Sequence, residues 1–191
     1  RSLYRQSPDS IWIGTDGGGI NLFSPHTEKF THYSSTWGDK VAFISGFTPG
    51  KLLISLFSKG VFVFNPATGE KQPFTIIDKE TTTRLCNRGK SVNLYQNTPN
   101  TVLFLGDHIY QYHLKEKKFS TITEEEGKDI VGTLVPFDHQ ENLTYINDIK
   151  HIYELDDQTS RLKTVFECYT DTVISSVSHD EQGHFWIGSN F

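Results

Sequence analysis

Short apolar runs alternate with polar turns along the whole chain. The first run reads Ile11-Trp12-Ile13-Gly14, and after a glycine-rich turn a second follows at Ile20-Asn21-Leu22-Phe23. Runs rich in Ile, Val, Phe and Tyr that are separated by Gly, Asp, Asn or Pro turns are typical of β-strands. No segment keeps a 3.6-residue period for the length of a helix. The pattern therefore predicts an all-β protein.

The runs recur at a regular spacing. Corresponding runs end at positions 41, 48 and 43 residues apart, namely Phe23, Phe64, Tyr112 and Leu155. From Trp12 to Trp186 the chain covers 174 residues, or four repeats of about 43. A period of about 40–45 residues is typical of the four-stranded blades of a β-propeller. The repeat thus predicts a propeller.

Each repeat predicts four strands, A to D. In the first repeat these are Leu3–Gln6, Ile11–Thr15, Ile20–Ser24 and Phe30–Tyr33. Later A strands are predicted at Val41–Phe47, Ser91–Gln96, Ile130–Phe137 and Thr172–Ser178. The prediction is a propeller fragment of about four and a half antiparallel blades with 18 strands. Its approximate blade boundaries are 1–36, 37–80, 89–125 and 129–167, with a half blade at 171–191.

Four and a half blades do not close a ring neatly. Propellers protect their strand edges by closing a ring of typically four to eight blades, and an exposed sheet edge is a hazard for aggregation. We therefore expect this chain to be part of a longer protein, with the remaining blades as its partners and the missing C and D strands just beyond Phe191.

Composition and charge exclude several classes of protein. Aromatic residues make up 13% of the chain and charged residues 21%, which is a globular profile. A net charge of −5 provides no basic surface for nucleic acid. No apolar run approaches the length of a membrane helix, so any membrane attachment must come from segments outside this chain.

Two copies of the repeat resemble a known family. Ile11-Trp12-Ile13-Gly14-Thr15, with the Gly-Gly turn and the apolar strand that follow it, is similar to the two-component-regulator propeller repeat. The segment from Asp180 to Gly188, which contains Phe185-Trp186-Ile187-Gly188, resembles it too. Copies two to four lack the Trp, and Ser55 replaces the glycine in the second. The resemblance therefore depends on the first and fifth copies.

The resemblance implies a sensor. Such repeats occur in the periplasmic regions of hybrid two-component histidine kinases of gut Bacteroidetes, whose usual signal is an oligosaccharide. It implies an extracytoplasmic ligand-sensing domain in an inner-membrane receptor, a homodimer in the full receptor, and kinase activity in a separate module. This fragment itself is then not an enzyme.

The glycine turn and the tryptophans have structural explanations. Asp16-Gly17-Gly18-Gly19 could be taken for a phosphate-binding loop, but a strand follows it where such loops open a helix. We interpret it as a hairpin turn, since glycine readily adopts the positive φ that tight turns need. Trp12 and Trp186 could stack on sugars, yet each lies in a B strand between apolar neighbours. We predict that both pack between blades.

Trp37 is the leading candidate for ligand contact. It lies in a polar loop that joins strand D of the first blade to strand A of the second, beside Asp39 and Lys40. D-to-A loops and B-to-C turns emerge on the same face of a propeller. An amphipathic ring there suits a sugar or a peptide, although it could also anchor the loop to its own blade. Topology adds further candidates from the B-to-C turns: Asp16, Phe57, Lys59, Asp107, His108 and Asp148.

Catalytic and metal motifs are not recognisable in the sequence. The eight histidines are scattered without the spacing of metal ligands, and no Gly-x-Ser-x-Gly motif is present. We predict no catalytic residue, no metal and no cofactor, and interpret His179 and His184 as residues flanking an exposed turn. Cys86 and Cys168 lie two blades apart and are expected to be free thiols.

Three classes of function stay open on the sequence. The first is a non-enzymatic sensor that responds to an oligosaccharide. The second is a propeller enzyme that acts on polysaccharide, such as a lyase or a glycosidase. The third is a scaffold for protein interaction. A fold by itself does not decide among them.

Overall fold

The structure is a computed structural model that describes residues 1–75, 92–106, 108–122, 134–140, 142–168 and 172–190, with only the backbone of 138–140. These ranges contain 18 strands in four antiparallel four-stranded sheets and one two-stranded sheet. Helical structure in the described ranges is limited to one 3₁₀ turn, Ser34–Thr36. The predicted all-β propeller fragment of four and a half blades is confirmed.

Each sheet is a meander in which consecutive strands pair as neighbours. The first sheet consists of β1 (Ser2–Ser7), β2 (Ser10–Gly14), β3 (Ile20–Ser24) and β4 (Lys29–His32). The second consists of β5 (Val41–Gly46), β6 (Leu52–Leu56), β7 (Gly60–Asn65) and β8 (Glu70–Pro73). The third consists of β9 (Asn93–Thr98), β10 (Thr101–Leu105), β11 (Ile109–His113) and β12 (Lys118–Ile122).

The last two sheets continue the pattern. The fourth consists of β13 (Val135–Gln140), β14 (Leu143–Asn147), β15 (His151–Asp156) and β16 (Arg161–Glu167). The fifth has two strands, β17 (Val173–His179) and β18 (Phe185–Asn190). The predicted start of the fourth A strand at Ile130 lies outside the described residues, but this strand extends to Gln140, beyond the apolar run. Its polar end pairs with β14, since His139 is opposite Thr144.

The chain divides into two compact units, residues 1–96 and 97–191, with β9 crossing the boundary. In the first unit, one face of the first sheet packs against the second sheet. Trp12 is 2% exposed and its ring lies 5.5 Å from Tyr33 and 6.1 Å from Phe64. The buried core around it comprises Ile20, Val41, Ile44, Leu52, Ile54, Leu56 and Phe64. This confirms the predicted packing role of Trp12.

In the second unit, aromatic side chains join the fourth sheet to the two-stranded fifth sheet. The ring of Tyr145 lies 5.7 Å from Phe185 and 5.0 Å from His179. Tyr153 and Leu155 are fully buried in the same unit. Edge-to-face and tilted aromatic pairs of this kind stabilise sheet packing beyond the area that they bury.

The glycine-rich segment is a hairpin turn, as predicted. Gly17 and Gly19 both adopt positive φ, 100° and 67° respectively, and β2 and β3 pair directly on either side of the turn. At Gly19 a Cβ atom would lie 2.3 Å from the backbone oxygen of Thr36. Glycine is therefore required at this position both by conformation and by close approach of the next loop.

Candidate functional site

The loop that carries Trp37 is held in place by one buried threonine. Thr36 is fully buried at the end of the 3₁₀ turn. Its hydroxyl accepts a hydrogen bond from the backbone N–H of Ile20 (2.9 Å) and donates one to the carbonyl of Tyr33 (2.8 Å). The residue immediately before Trp37 thereby fixes the loop to the start of β3.

The residues after Trp37 lie between the B-to-C turns of the first two sheets. The carbonyl of Asp39 accepts hydrogen bonds from the N–H groups of Gly17 (3.2 Å) and Gly19 (3.3 Å). The carbonyl of Lys40 accepts one from the N–H of Phe57 (2.9 Å). The structure thus brings six of the predicted residues to one edge of the first unit. We call this set the rim: Asp16, Trp37, Asp39, Lys40, Phe57 and Lys59.

Asp39 is the buried charge of the rim. Only 3% of the residue is exposed, and its carboxylate accepts hydrogen bonds from the ammonium groups of Lys59 (2.8 Å) and Lys71. Burial alone would raise the pKa of Asp39, but the hydrogen bonds and charges of the two lysines outweigh it and lower the pKa. Asp39 is therefore ionised at neutral pH and orders the two lysines.

Asp16 forms a second, exposed ion cluster. Its carboxylate accepts a hydrogen bond from the guanidinium of Arg1 at 2.6 Å and lies 3.5 Å from the ammonium of Lys40. The hydrogen bond from Arg1 is the main reason that the pKa of Asp16 is lowered. Exposed ion pairs contribute little to stability, so these side chains remain available to a polar ligand.

Two aromatic side chains stand exposed on the rim. Trp37 is 65% exposed and Phe57 is 44% exposed. The Trp37 ring meets His32 edge to face, with 6.1 Å between ring centroids. A cleft of ≈ 340 Å³ opens beside it, lined by Ile13, Thr15, Gly18, Asn21, Phe30, His32 and Trp37. Trp37 thus borders a cleft and also contacts its own sheet through His32. This position fits both interpretations made from the sequence, a contact with a ligand and an anchor of the loop to its own blade.

Of the three other predicted site residues, His108 and Asp148 belong to the second unit. Asp107 lies outside the described residues. His108 is exposed in the second unit, where its ring lies 6.1 Å from that of Tyr110. Asp148 is 1% exposed and accepts hydrogen bonds from the hydroxyl of Tyr153 (2.8 Å) and from the backbone N–H of His151 (2.7 Å). Because its carboxylate is buried in these contacts, Asp148 holds its own turn together and is not open to a ligand.

Trp186 departs from the prediction that it packs between blades. It is 65% exposed, and its indole N–H donates a hydrogen bond to the carboxylate of Asp180 (3.0 Å). The backbone N–H of His184 and the Trp186 indole, in that order, lower the pKa of Asp180. The prediction is wrong within this chain because no sheet covers this face of β18 among the described residues.

Of the two cysteines, the structure describes one. Cys168 is a half-buried thiol whose sulfur lies 2.9 Å from the hydroxyl oxygen of Thr172, whereas Cys86 lies outside the described residues. Within the described ranges, no three His, Cys, Asp or Glu side chains are grouped as metal ligands would be. The same part of the chain contains no helix long and apolar enough to cross a membrane.

Sequence reasoning missed two contributors to the rim. Lys71 lies on β8, the outermost strand of the second sheet, and reaches Asp39 across 32 residues of sequence. His32 on β4 provides the surface on which Trp37 rests. Both residues lie on the outer strand of their sheet. Only the pairing of that strand with its buried neighbour shows that the two side chains reach the rim.

Comparison with solved structures identifies the fold. The extracellular domain of BT4673 from Bacteroides thetaiotaomicron, a protein described as a hybrid two-component system, matches 98% of this chain with a TM-score of 0.69 and 13% identity. The corresponding domain of BT3049 from the same organism matches 97% with a TM-score of 0.64 and 15% identity. An auxiliary nutrient binding protein of that bacterium matches 95% with a TM-score of 0.59 and 13% identity.

These likenesses extend over nearly all of this chain but only part of the others. The chain spans 25% of the length of the two extracellular domains and 44% of the nutrient binding protein. No protein-family model and no curated protein sequence matches it. At these identities the comparisons establish a shared propeller fold.

Proposed function

We propose that this chain is part of the extracytoplasmic, ligand-sensing region of a hybrid two-component receptor. The observation that carries the proposal is the fold, which the chain shares over 97–98% of its length with two extracellular domains of proteins described as such systems. The two Trp-Ile-Gly copies support the same assignment, because they resemble the repeat of that receptor family. The receptor would lie in the inner membrane, with this region in the periplasm.

The ligand that the rim suits best is an oligosaccharide. Trp37 and Phe57 offer exposed aromatic surface of the kind on which sugar rings stack, and both lie beside charged groups. Lys40 and Lys59 each expose 59% of their side chains, so their ammonium groups can donate hydrogen bonds to hydroxyl or carboxylate oxygens. Asp16 adds an exposed acceptor. Apolar surface with a few oriented polar groups is the usual composition of a binding site.

A sensor needs a ligand that distinguishes two states. Ligand binding shifts an equilibrium only by its difference in affinity for the two conformations. In the proposed receptor, the oligosaccharide would change the relation of two subunits of a homodimer, and a histidine kinase module beyond the membrane would respond. The kinase activity therefore belongs to a different part of the polypeptide.

Isothermal titration of this chain against a panel of neutral and uronic-acid-containing oligosaccharides tests the binding role. We expect one member to bind, and Trp37→Ala to weaken that binding at least tenfold. Trp186→Ala is the matched control, since Trp186 is equally exposed but lies on the other unit. Equal affinity of wild type and Trp37→Ala, with an unchanged circular dichroism spectrum, would remove Trp37 from the site.

The receptor assignment is tested separately by the gene. We expect the reading frame that contains this chain to encode a membrane helix and a histidine kinase module downstream. A frame without either segment would refute the receptor and leave the binding result standing by itself. A glycosidase or lyase would instead release products from polysaccharide, which chromatography of the reaction mixture would detect.

A further inference from the structure

The rim lies at the junction of the first two sheets, both of which belong to this chain. Asp39 is on the loop that joins these sheets, Lys59 lies in the B-to-C turn of the second, and Lys71 lies on its outer strand, β8. Both lysines contact Asp39 within the first unit. The charges of the rim are therefore held in place by contacts that this chain makes with itself.

Positive charge exceeds negative charge around Asp39. Its carboxylate holds one ammonium group at each oxygen, Lys59 at Oδ1 (2.8 Å) and Lys71 at Oδ2. Burial raises the pKa of Asp39, but the hydrogen bonds and charges of the two lysines outweigh burial and lower the pKa. The carboxylate is thus charged at neutral pH, where lysine side chains are charged as well. One anion faces two cations, so this cluster has a net positive charge.

Lys40 adds a further ammonium group beside this cluster. Asp16 and Lys40 form an isolated β-bridge, and the Lys40 ammonium lies 3.5 Å from the Asp16 carboxylate, which Arg1 also contacts. The carbonyl of Lys40 accepts a hydrogen bond from the N–H of Phe57, so Lys40 lies next to the turn that carries Lys59. Basic groups thus outnumber acidic groups at the rim, although the whole chain has a net charge of −5.

Lys59 is the accessible cation of the pair on Asp39. An ammonium group has three N–H donors, and Lys59 uses one of them on Asp39. The Lys59 side chain is 59% exposed, which leaves the other donors open to a ligand. The side chain of Lys71 is only 24% exposed, and its ammonium lies 5.8 Å from the centre of the Phe62 ring. Lys71 therefore balances the buried carboxylate, while Lys59 presents the surplus charge to solvent.

A tight turn places Lys59 beside an exposed aromatic ring. The N–H of Lys59 donates a hydrogen bond to the carbonyl of Leu56 (3.1 Å), and Ser58 between them adopts a φ of 60°. Phe57, in the same turn, is 44% exposed. Since Phe57 and Lys59 are two positions apart in one turn, a sugar ring that stacks on Phe57 has its substituents close to the Lys59 ammonium.

We propose that the rim selects acidic oligosaccharides: an anionic group of the sugar, a carboxylate or a sulfate, binds the ammonium of Lys59 while the sugar ring stacks on Phe57. This inference depends on the proposed sensor function and adds the class of sugar. Hydrogen bonds that involve a charged group are about twice as strong as those between neutral groups. Lys40 adds to the attraction, because several cations on one surface favour the approach of an anion. A neutral sugar retains the stacking but loses the contact between charges.

Isothermal titration with matched pairs of tetrasaccharides tests the selectivity. The pairs are uronic-acid tetrasaccharides with their neutral, carboxyl-reduced forms, and sulfated galactan tetrasaccharides with their neutral, desulfated forms. We expect at least one acidic member to bind, and its neutral form to bind about tenfold more weakly. Added sodium chloride should weaken the binding of the acidic member alone, because salt screens charges. The two kinds of pair show whether the preferred anion is a carboxylate or a sulfate.

Lys59→Gln removes the charge and keeps a hydrogen-bond donor. Affinity for the acidic tetrasaccharide should fall about tenfold, to that of the neutral form, whose own affinity should not change. Lys59→Arg keeps the charge and should prefer the acidic form as wild type does. Lys51→Gln is the matched control, because Lys51 is an exposed lysine just before β6, at the opposite end of this strand from Lys59. Lys40→Gln repeats the test if Lys59→Gln loses its circular dichroism spectrum.

The outcomes separate this inference from the sensor function on which it depends. Equal affinity for the acidic and the neutral form of every pair that binds would overturn the selectivity and leave the sensor function standing. Binding of no tetrasaccharide would overturn both. Undiminished binding of the acidic form by folded Lys59→Gln would overturn the assigned contact.

Discussion

The tryptophans of the two Trp-Ile-Gly copies should contribute differently to the free energy of unfolding. Trp12 is 2% exposed, while Trp186 is 65% exposed. Trp12→Ala should lower the free energy of unfolding by about 3–5 kcal/mol, since it leaves a large cavity between Tyr33 and Phe64. Trp186→Ala should lower it by under about 1 kcal/mol. Urea denaturation followed by circular dichroism measures both, and equal losses would contradict the assigned packing.

Asp39 should make the stability of the first unit depend on pH. Its pKa in the folded protein is below the unfolded value because Lys59 and Lys71 outweigh the effect of burial. Asp39 therefore makes its full contribution to stability above about pH 4. This contribution is lost as the pH falls through the lowered pKa that Asp39 has in the folded protein. At pH 7, Asp39→Asn should lower the free energy of unfolding by about 1–2 kcal/mol.

The measurement for Asp39 is urea denaturation at pH 7 and at a series of lower values. The difference between wild type and Asp39→Asn should shrink as the pH decreases below about 4. Asp9→Asn is a control in an exposed turn and should change the free energy of unfolding at pH 7 by under about 0.5 kcal/mol. A constant difference at every pH would mean that the charge of Asp39 contributes nothing to folding.

At the scale of elements, the B-to-C turn of the first sheet depends on two glycines that adopt positive φ. Gly19 has a φ of 67°, and a Cβ there would lie 2.3 Å from the carbonyl oxygen of Thr36. Gly17 has a φ of 100° with nothing within 4 Å of the added atom. Gly17→Ala should therefore cost only the conformational penalty, about 1–2 kcal/mol.

Gly19→Ala should cost more than Gly17→Ala, because it also displaces the loop that carries Trp37. Thermal unfolding of the two variants provides the comparison, and near-ultraviolet circular dichroism reports the surroundings of Trp37. Equal melting temperatures would show that the loop moves aside freely. The comparison separates steric contact from backbone preference, since both glycines have positive φ.

The strands were predictable because their signals are local. Short runs rich in apolar and aromatic residues between polar turns marked the strands of the first sheet, and the repeat length indicated the propeller. The burial of Asp39 could not be predicted, since its lysine partners include Lys71 from an outer strand. The exposure of Trp186 could not be predicted either. Its local sequence matches that of Trp12, and only the presence of a neighbouring sheet distinguishes the two.

At the scale of the whole molecule, the second unit has a buried polar network in addition to the apolar packing that joins sheets in both units. The first unit joins its first two sheets through an apolar core around Trp12. In the second unit, a buried polar network connects β9 with β14. The Asp157 carboxylate accepts hydrogen bonds from the Asn97 amide (2.6 Å) and the Thr144 hydroxyl (2.9 Å). Such networks are costly to break because each remaining group stays buried without its partner.

Asp157→Ala should therefore weaken the second unit selectively. The substitution leaves Asn97 and Thr144 with unsatisfied buried groups and should lower the free energy of unfolding by about 1–3 kcal/mol. Asp156→Ala is the matched control, because Asp156 is half-buried and its carboxylate accepts hydrogen bonds from the backbone N–H groups of Gln158 and Thr159 in its own turn. Hydrogen exchange should show faster exchange in β9, β10 and β14 for Asp157→Ala, with β2 and β6 unchanged. Uniform acceleration across both units would instead mean that the chain unfolds as a single cooperative body.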